Sequence, residues 1–178
     1  MLTKNEVGKL LTIIQVSFPN YHPQSKELMI NVWSEMLKEY TYKQCEIALK
    51  TYIQTDTSGF APSIGQIINA IHIPEETMYL SEDEAWVLVS KACSNGNYGY
   101  HEEFQKLPDI VRKAVGNEMN IHKWAAVPQD EFQTVIGSNF KRSYRSAVNT
   151  AKEQSKWPNE LKQLVNAASR KLIEGARL

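Results

Sequence analysis

Thr41-Tyr42-Lys43-Gln44-Cys45-Glu46-Ile47-Ala48-Leu49-Lys50-Thr51-Tyr52-Ile53 decides the fold class of this chain. Thr41 offers a hydroxyl acceptor three residues before Gln44. The hydroxyl can take one orphan backbone N–H and the Gln44 side chain can return to another, which starts a helix. Cys45, Ala48, Leu49, Tyr52 and Ile53 then recur at three- and four-residue spacing, the period of one helix face. The same device stands at Thr3 with Glu6, at Ser63 with Gln66 and at Ser81 with Glu84, each time ahead of another apolar helical stripe.

Working outward, Val7, Leu10, Leu11, Ile14 and Phe18 predict a helix over about 4–17, closed by Phe18-Pro19 because proline disfavours helical geometry at the residue before it. Leu28, Met29, Val32, Trp33, Met36 and Tyr40 predict a second helix over about 24–39 with those residues inward. Thr55 to Pro62 is a loop by its Asp, Ser, Gly and Pro content. Ile64, Ile67, Ile68 and Ile71 follow the Ser63 cap, and Ile73-Pro74 breaks the pattern. The first domain is therefore placed at residues 1–74.

Beyond it, Ala85, Trp86, Val89, Ala92 and Cys93 predict a helix over 82–94, followed by a loop over 94–99 and a short helix over 101–106. Pro108 suits a first helical position and Gly116 a helix end. Residues 118–126 read as another short helix. Pro128 opens a long helix to about Lys156, and Pro158 a last amphipathic one with Leu161, Leu164, Val165, Ala168 and Leu172. The expectation is an all-α protein: a small N-terminal bundle of about four helices, then a second helical region over 80–178 containing a long basic helix.

The 178 residues, 42% of them apolar, suffice for real cores. No apolar run approaches a membrane span, and the N-terminus does not read as a signal peptide. Cys45 and Cys93 lie in apolar stripes and read as buried thiols, which fits a cytoplasmic protein. Net charge is zero but uneven. Residues 1–80 carry −2, residues 81–136 carry −4, and residues 137–178, with nine Lys/Arg against three acids, carry +6.

No constellation for chemistry emerges. Gly8-Lys9 lacks both the first glycine and the hydroxyl of a phosphate-binding loop. His22, His72, His101 and His122 have no neighbouring ligand at metal spacing. His101-Glu102-Glu103 and Ser81-Glu82-Asp83-Glu84 suit helix starts better than acid–base catalysis. No enzymatic activity, metal or cofactor is expected, and the chain should work by contact. Lys141, Arg142, Arg145, Lys152 and Lys156 are the candidate contacts to an anionic partner or DNA. A solvated helix face is the competing reading. Tyr98 and Tyr100, placed in the 94–99 loop region, and Trp157, at a helix junction, are candidate partner contacts.

Leu2-Thr3-Lys4-x-Glu6, Phe18-Pro19-Asn20, Trp33 with Met36-Leu37 and Tyr40, Tyr42, Ala48-Leu49, Tyr52-Ile53 and Ala61-Pro62-Ser63-Ile64-x-x-Ile67 occur in this order over residues 1–72. This ordered set resembles the helicase loader/inhibitor proteins of phages that infect Gram-positive bacteria. Glu84-Ala85-Trp86-x-Leu88-Val89-x-Lys91-Ala92, Glu103-Phe104-x-Lys106-Leu107-Pro108, Val115-Gly116, Trp124 and Val135-Ile136-x-Ser138-Asn139-Phe140-x-Arg142-Ser143-Tyr144 resemble the longer members. The resemblance implies a non-enzymatic DNA-replication accessory protein of the host-cell cytoplasm. It would bind the replicative hexameric helicase, hold it inactive and deliver it to an origin marked by an initiator protein. In short members the C-terminal part is flexible and carries helicase contacts, whereas this second half is patterned to fold. Two other classes stay open: an inhibitor of another host machine such as a nuclease or defence complex, and a DNA-binding protein using the basic C-terminal helices. Self-association through the last helix is open as well.

Overall fold

The computed structural model describes residues 2–76 and 78–175, with side chains at 74–76 and 170–175 excepted. Leu172 of the expected last helix face and the chain end over 176–178 thus lie outside the described residues. Among the described residues the chain is helical without a strand. Its contacts divide it into two compact units, residues 1–77 with 156–178, and residues 78–155.

The first unit begins with α1 (Lys4–Ser17), α2 (Lys26–Met36), α3 (Tyr42–Thr55) and α4 (Ile64–Glu76). Thr3 and Thr41 form the expected capping boxes; the Thr41 N–H donates to Gln44 Oε1 at 2.9 Å while Gln44 N–H donates back to the Thr41 hydroxyl at 3.3 Å. Each box satisfies two amides that a helix start otherwise leaves unpaired. Val7, Leu10, Leu11, Ile14 and Phe18 are buried against Trp33, Leu37, Cys45, Ala48, Leu49 and Ile67. α1 is packed by both α2 and α3, and α3 by α4.

The face of α2 differs from the expectation. Leu28, Val32 and Met36 are exposed, at 62%, 40% and 58%, whereas Trp33 and Leu37 are buried and Met29 and Ile30 pack onto the core. The helix is also shorter than read, because the chain turns at 37–40. α4 continues past the Ile73–Pro74 step to Glu76; proline disfavours, without forbidding, helical geometry before it.

The second unit holds α5 (Glu82–Ser94), α6 (Gly96–Lys106), α7 (Asp109–Val115), α8 (Glu118–Ala125), the single turn α9 (Gln129–Glu131), a π turn over Phe132–Ile136 and α10 (Gly137–Ser155). The loop expected at 94–99 is instead the start of α6, kinked at Gly99. Gly96 serves packing there: a Cβ would meet Ile121 atoms at 3.0 Å, so only glycine lets α6 approach α8 so closely. Gly116 does end α7 as expected, at φ 89°, a conformation that strains any residue with a side chain.

The single long helix expected over 128–156 is interrupted by the π turn, where Gly137 N–H donates to Phe132 C=O. This widened turn absorbs one residue of register. Phe132 before it and Phe140 after it both reach Trp86, with ring centroids at 4.8 and 5.5 Å, and Tyr144 stacks on Phe140 at 5.9 Å. Trp86 Nε1–H donates to Gln133 at 3.1 Å, and the Tyr144 hydroxyl donates to Leu80 C=O at 3.0 Å.

The last helix, α11 (Asn159–Gly175), is grouped with the first unit, not with the second half as the 80–178 assignment had it. Its N-terminus is held by α2's end: Asn159 N–H donates to the Glu39 carboxylate at 3.0 Å, and Lys38 Nζ lies 3.3 Å from Glu160. Glu39 thereby supplies, from 120 residues upstream, the acceptor that an N-cap side chain normally gives.

Candidate interaction surfaces

The basic stretch comes from α10. Gly137, Phe140, Tyr144 and Val148 are buried, so the cations fall on the flanks of that face. Lys141 Nζ lies 2.6 Å from Asp83, and Arg145 makes a two-pronged pair with Glu82, Nε to Oε1 at 2.6 Å and a terminal nitrogen to Oε2 at 2.8 Å. The acids stand in the first turn of α5, beyond the Ser81 cap, where the helix dipole already favours them. The Arg145 hydrogen bonds hold Glu82 below the usual carboxylate range, and Glu82 in turn raises Arg145. Two of the five predicted cations are therefore engaged within the second unit. Arg142 is exposed and Lys152 half-buried in the same unit, while Lys156 belongs to the first. The five do not share one unit.

The predicted aromatic contacts also separate. Tyr98 is fully solvent-exposed, but on α6, not in a loop. Tyr100 packs onto the second core and lies 5.3 Å from the His122 ring. Trp157 is half-buried at the junction of α10 and α11.

Reasoning from sequence did not find the exposed ridge of α2. Leu28, Val32 and Met36 follow one another at four-residue intervals on one side of the helix. Beside Met36, a cleft of about 230 Å³ is bounded by Glu35, Tyr40, Ile68 and Pro158. The exposure of α11's Leu161 (40%) and Leu164 (69%) adds a second unpartnered apolar face to this unit. Isolated exposed leucines are ordinary, but aligned ones on two helices of one unit mark contact surface.

Both cysteines are buried and free; burial pushes the Cys45 thiol up to about 11 and Cys93 to about 12, so neither is a reactive thiolate at neutral pH. Among the described residues no three His, Cys, Asp or Glu side chains converge on a point that could hold a metal ion, and no helix is long and apolar enough to cross a membrane.

No curated protein and no solved structure matches the chain. Residues 2–68, which supply α1 to α3 and the opening turn of α4, match the family model of the N-terminal domain of the helicase loader/inhibitor proteins of Gram-positive phages.

Proposed function

We propose that this protein is a phage replication accessory factor that binds the replicative hexameric helicase, holds it inactive and hands it to an initiator-marked origin. The match over residues 2–68 carries this reading. The matched segment supplies most of one buried core, which makes it a folded domain and not a chance run of similar residues. The family is not itself enzymatic, and we read this chain the same way, acting in the cytoplasm of the host cell.

A factor without its own energy source works by differential binding. It must favour one state of the helicase and lose it when the origin complex binds that helicase more tightly. Such exchange suits modest apolar surfaces more than a large permanent interface. The α2 ridge of Leu28, Val32 and Met36, and Leu161 and Leu164 on α11, supply surfaces of this kind. The test is co-purification with phage and host replicative helicases, with helicase ATPase and unwinding followed in the absence of initiator. Binding with suppressed turnover, lost in a Leu28→Asp/Met36→Asp or a Leu161→Asp/Leu164→Asp variant, supports the proposal. Failure to bind either helicase overturns it, and capture of a different host machine would identify an inhibitor of that machine instead.

The exposed Arg142 keeps a second reading in play, DNA contact through Lys141, Arg142, Arg145, Lys152 and Lys156. Such binding would weaken steeply with salt, by roughly one power of salt concentration per phosphate neutralised. It would vanish on charge reversal at Arg142.

A further inference from the structure

A groove runs between α1 and α2 in the first unit, on a different side of α2 from the Leu28–Val32–Met36 ridge. It has a volume of about 450 Å³, with Gly8, Ile13 and Ile30 among the residues at its floor and Lys4, Lys9 and Lys26 at its rim. No acidic residue lines it, and among the described residues none of the three lysines forms an ion pair. The carboxylate of Glu6, the nearest acid in sequence, is taken up by the α1 cap, accepting from Thr3 N–H and from the Thr3 hydroxyl at 2.8 Å each.

Two features of this groove work against the stability of the helices that form it. Lys4 and Lys26 are the first residues of α1 and α2. A helix N-terminus carries partial positive charge and favours acids, as α5 shows with Glu82, Asp83 and Glu84. Gly8 sits inside α1, where glycine is less favourable than alanine by about 1 kcal/mol. Its Cβ would find only ordinary contact, 3.8 Å from Ile30 Cδ1, so no steric need for glycine exists within the fold. What glycine does provide is a notch that bares the Ile30 side chain between the lysines.

We infer that the α1–α2 groove is a docking site for an acidic amphipathic segment of a protein partner. Its apolar side chain enters the notch over Gly8 and its carboxylates meet Lys4, Lys9 and Lys26. Charge complementarity selects the acidic partner. The aliphatic floor separates this occupant from nucleic acid: no aromatic ring lines the groove on which a base could stack. The inference does not rest on the helicase reading, since it is argued from this groove alone and tested without a helicase.

The test is titration of the isotope-labelled full chain with a helix-forming Leu/Glu/Ala peptide, with the same peptide carrying Lys in place of Glu, and with a single-stranded oligothymidylate. The acidic peptide should shift the amides of Gly8, Lys9 and Ile30 first, and the Lys peptide should leave them unmoved. Lys4→Glu/Lys9→Glu/Lys26→Glu should weaken acidic-peptide binding roughly tenfold or more, while Lys43→Glu on exposed α3 surface should not. The triple variant should remain folded, because two of its new acids sit where the helix dipoles favour them. Gly8→Gln, a better helix former that fills the notch, should also weaken binding with no loss of Tm. Equal binding of the Lys peptide, shifts that map elsewhere, tighter binding of the oligonucleotide, or unchanged binding by Gly8→Gln would each overturn the inference.

Discussion

The two units treat their positive charge in opposite ways. The second unit contains much of the basic stretch read from the sequence, yet it pairs its cations internally: Lys141 with Asp83, Arg145 with Glu82, Lys106 with Glu103, and Arg112 with Asp109. In the first unit Lys4, Lys9 and Lys26 come from an acidic stretch of sequence and face a groove without a single acid. Net charge along a segment therefore says little about the charge a surface can offer. What decides it is whether folding brings acids alongside, and the acids that meet α10 lie 58 and 63 residues upstream. The cores contrast as well. The first is mainly aliphatic, whereas the second is organised around a run of rings from Phe132 through Trp86 and Phe140 to Tyr144.

The largest expected effect tests that contrast between cores. Trp86→Ala removes the ring that Phe132 and Phe140 share and leaves Gln133 without its donor, and should cost about 3–5 kcal/mol. Ile14→Ala in the first core should cost about 2–5 kcal/mol by the same mechanism. Urea unfolding gives both totals, and amide exchange shows where each acts: α5 and α10 for Trp86, α1 and α3 for Ile14. If Trp86→Ala proved the milder of the two, the rings would not be the organising element of the second unit.

Two helical glycines sharpen the comparison, because alanine should act with opposite signs. A Cβ at Gly137 would stand 3.2 Å from Trp86 Cε2 and Cζ2, too close for a rigid indole to yield easily. Gly137→Ala should destabilise by about 1–3 kcal/mol. Gly8→Ala has room and improves helix propensity, and should stabilise by roughly 0.5–1 kcal/mol. The Tm shifts should therefore differ in sign. Stabilisation by Gly137→Ala would mean that the π turn can relax away from Trp86.

Next in size are the capping boxes. Ser81→Ala leaves the Glu84 N–H without its acceptor and should cost about 1 kcal/mol, read as a lower urea midpoint at unchanged slope. These boxes also show what the sequence could disclose. A cap and the stripe after it are local, so the starts of α1, α3 and α5 and the buried sets Val7–Leu10–Leu11–Ile14 and Ala85–Trp86–Val89–Ala92–Cys93 can be read from spacing. On α2 two apolar stripes compete: Leu28, Val32 and Met36 repeat as regularly as Met29, Trp33 and Leu37, and only packing against α1 chooses between them. Gly96 resembled a loop residue because its use, close approach to Ile121, lies outside its own segment. The salt bridges of α10, the capping of α11 by Glu39 and the lysine groove share that character. Each joins residues distant in sequence, and no local period announces them.

The smallest effect concerns acid. Arg145 holds Glu82 below its ordinary value of 4.5, so the pair favours the folded state at pH values above 4.5, where the carboxylate is charged. As the pH falls below that point the unfolded chain takes up the proton first, and the contribution fades until Glu82 is protonated in the folded state too. Arg145→Gln should remove this part of the pH dependence, leaving the variant closest to wild type in strong acid and most different near neutrality. Because the pair is exposed, added salt should shrink the difference at neutral pH. Thermal unfolding across pH at low and high salt measures this directly. An Arg145→Gln effect that is independent of both pH and salt would show that the guanidinium acts by packing along α10, and the pairing of charge that distinguishes the second unit from the first would then contribute nothing to its stability.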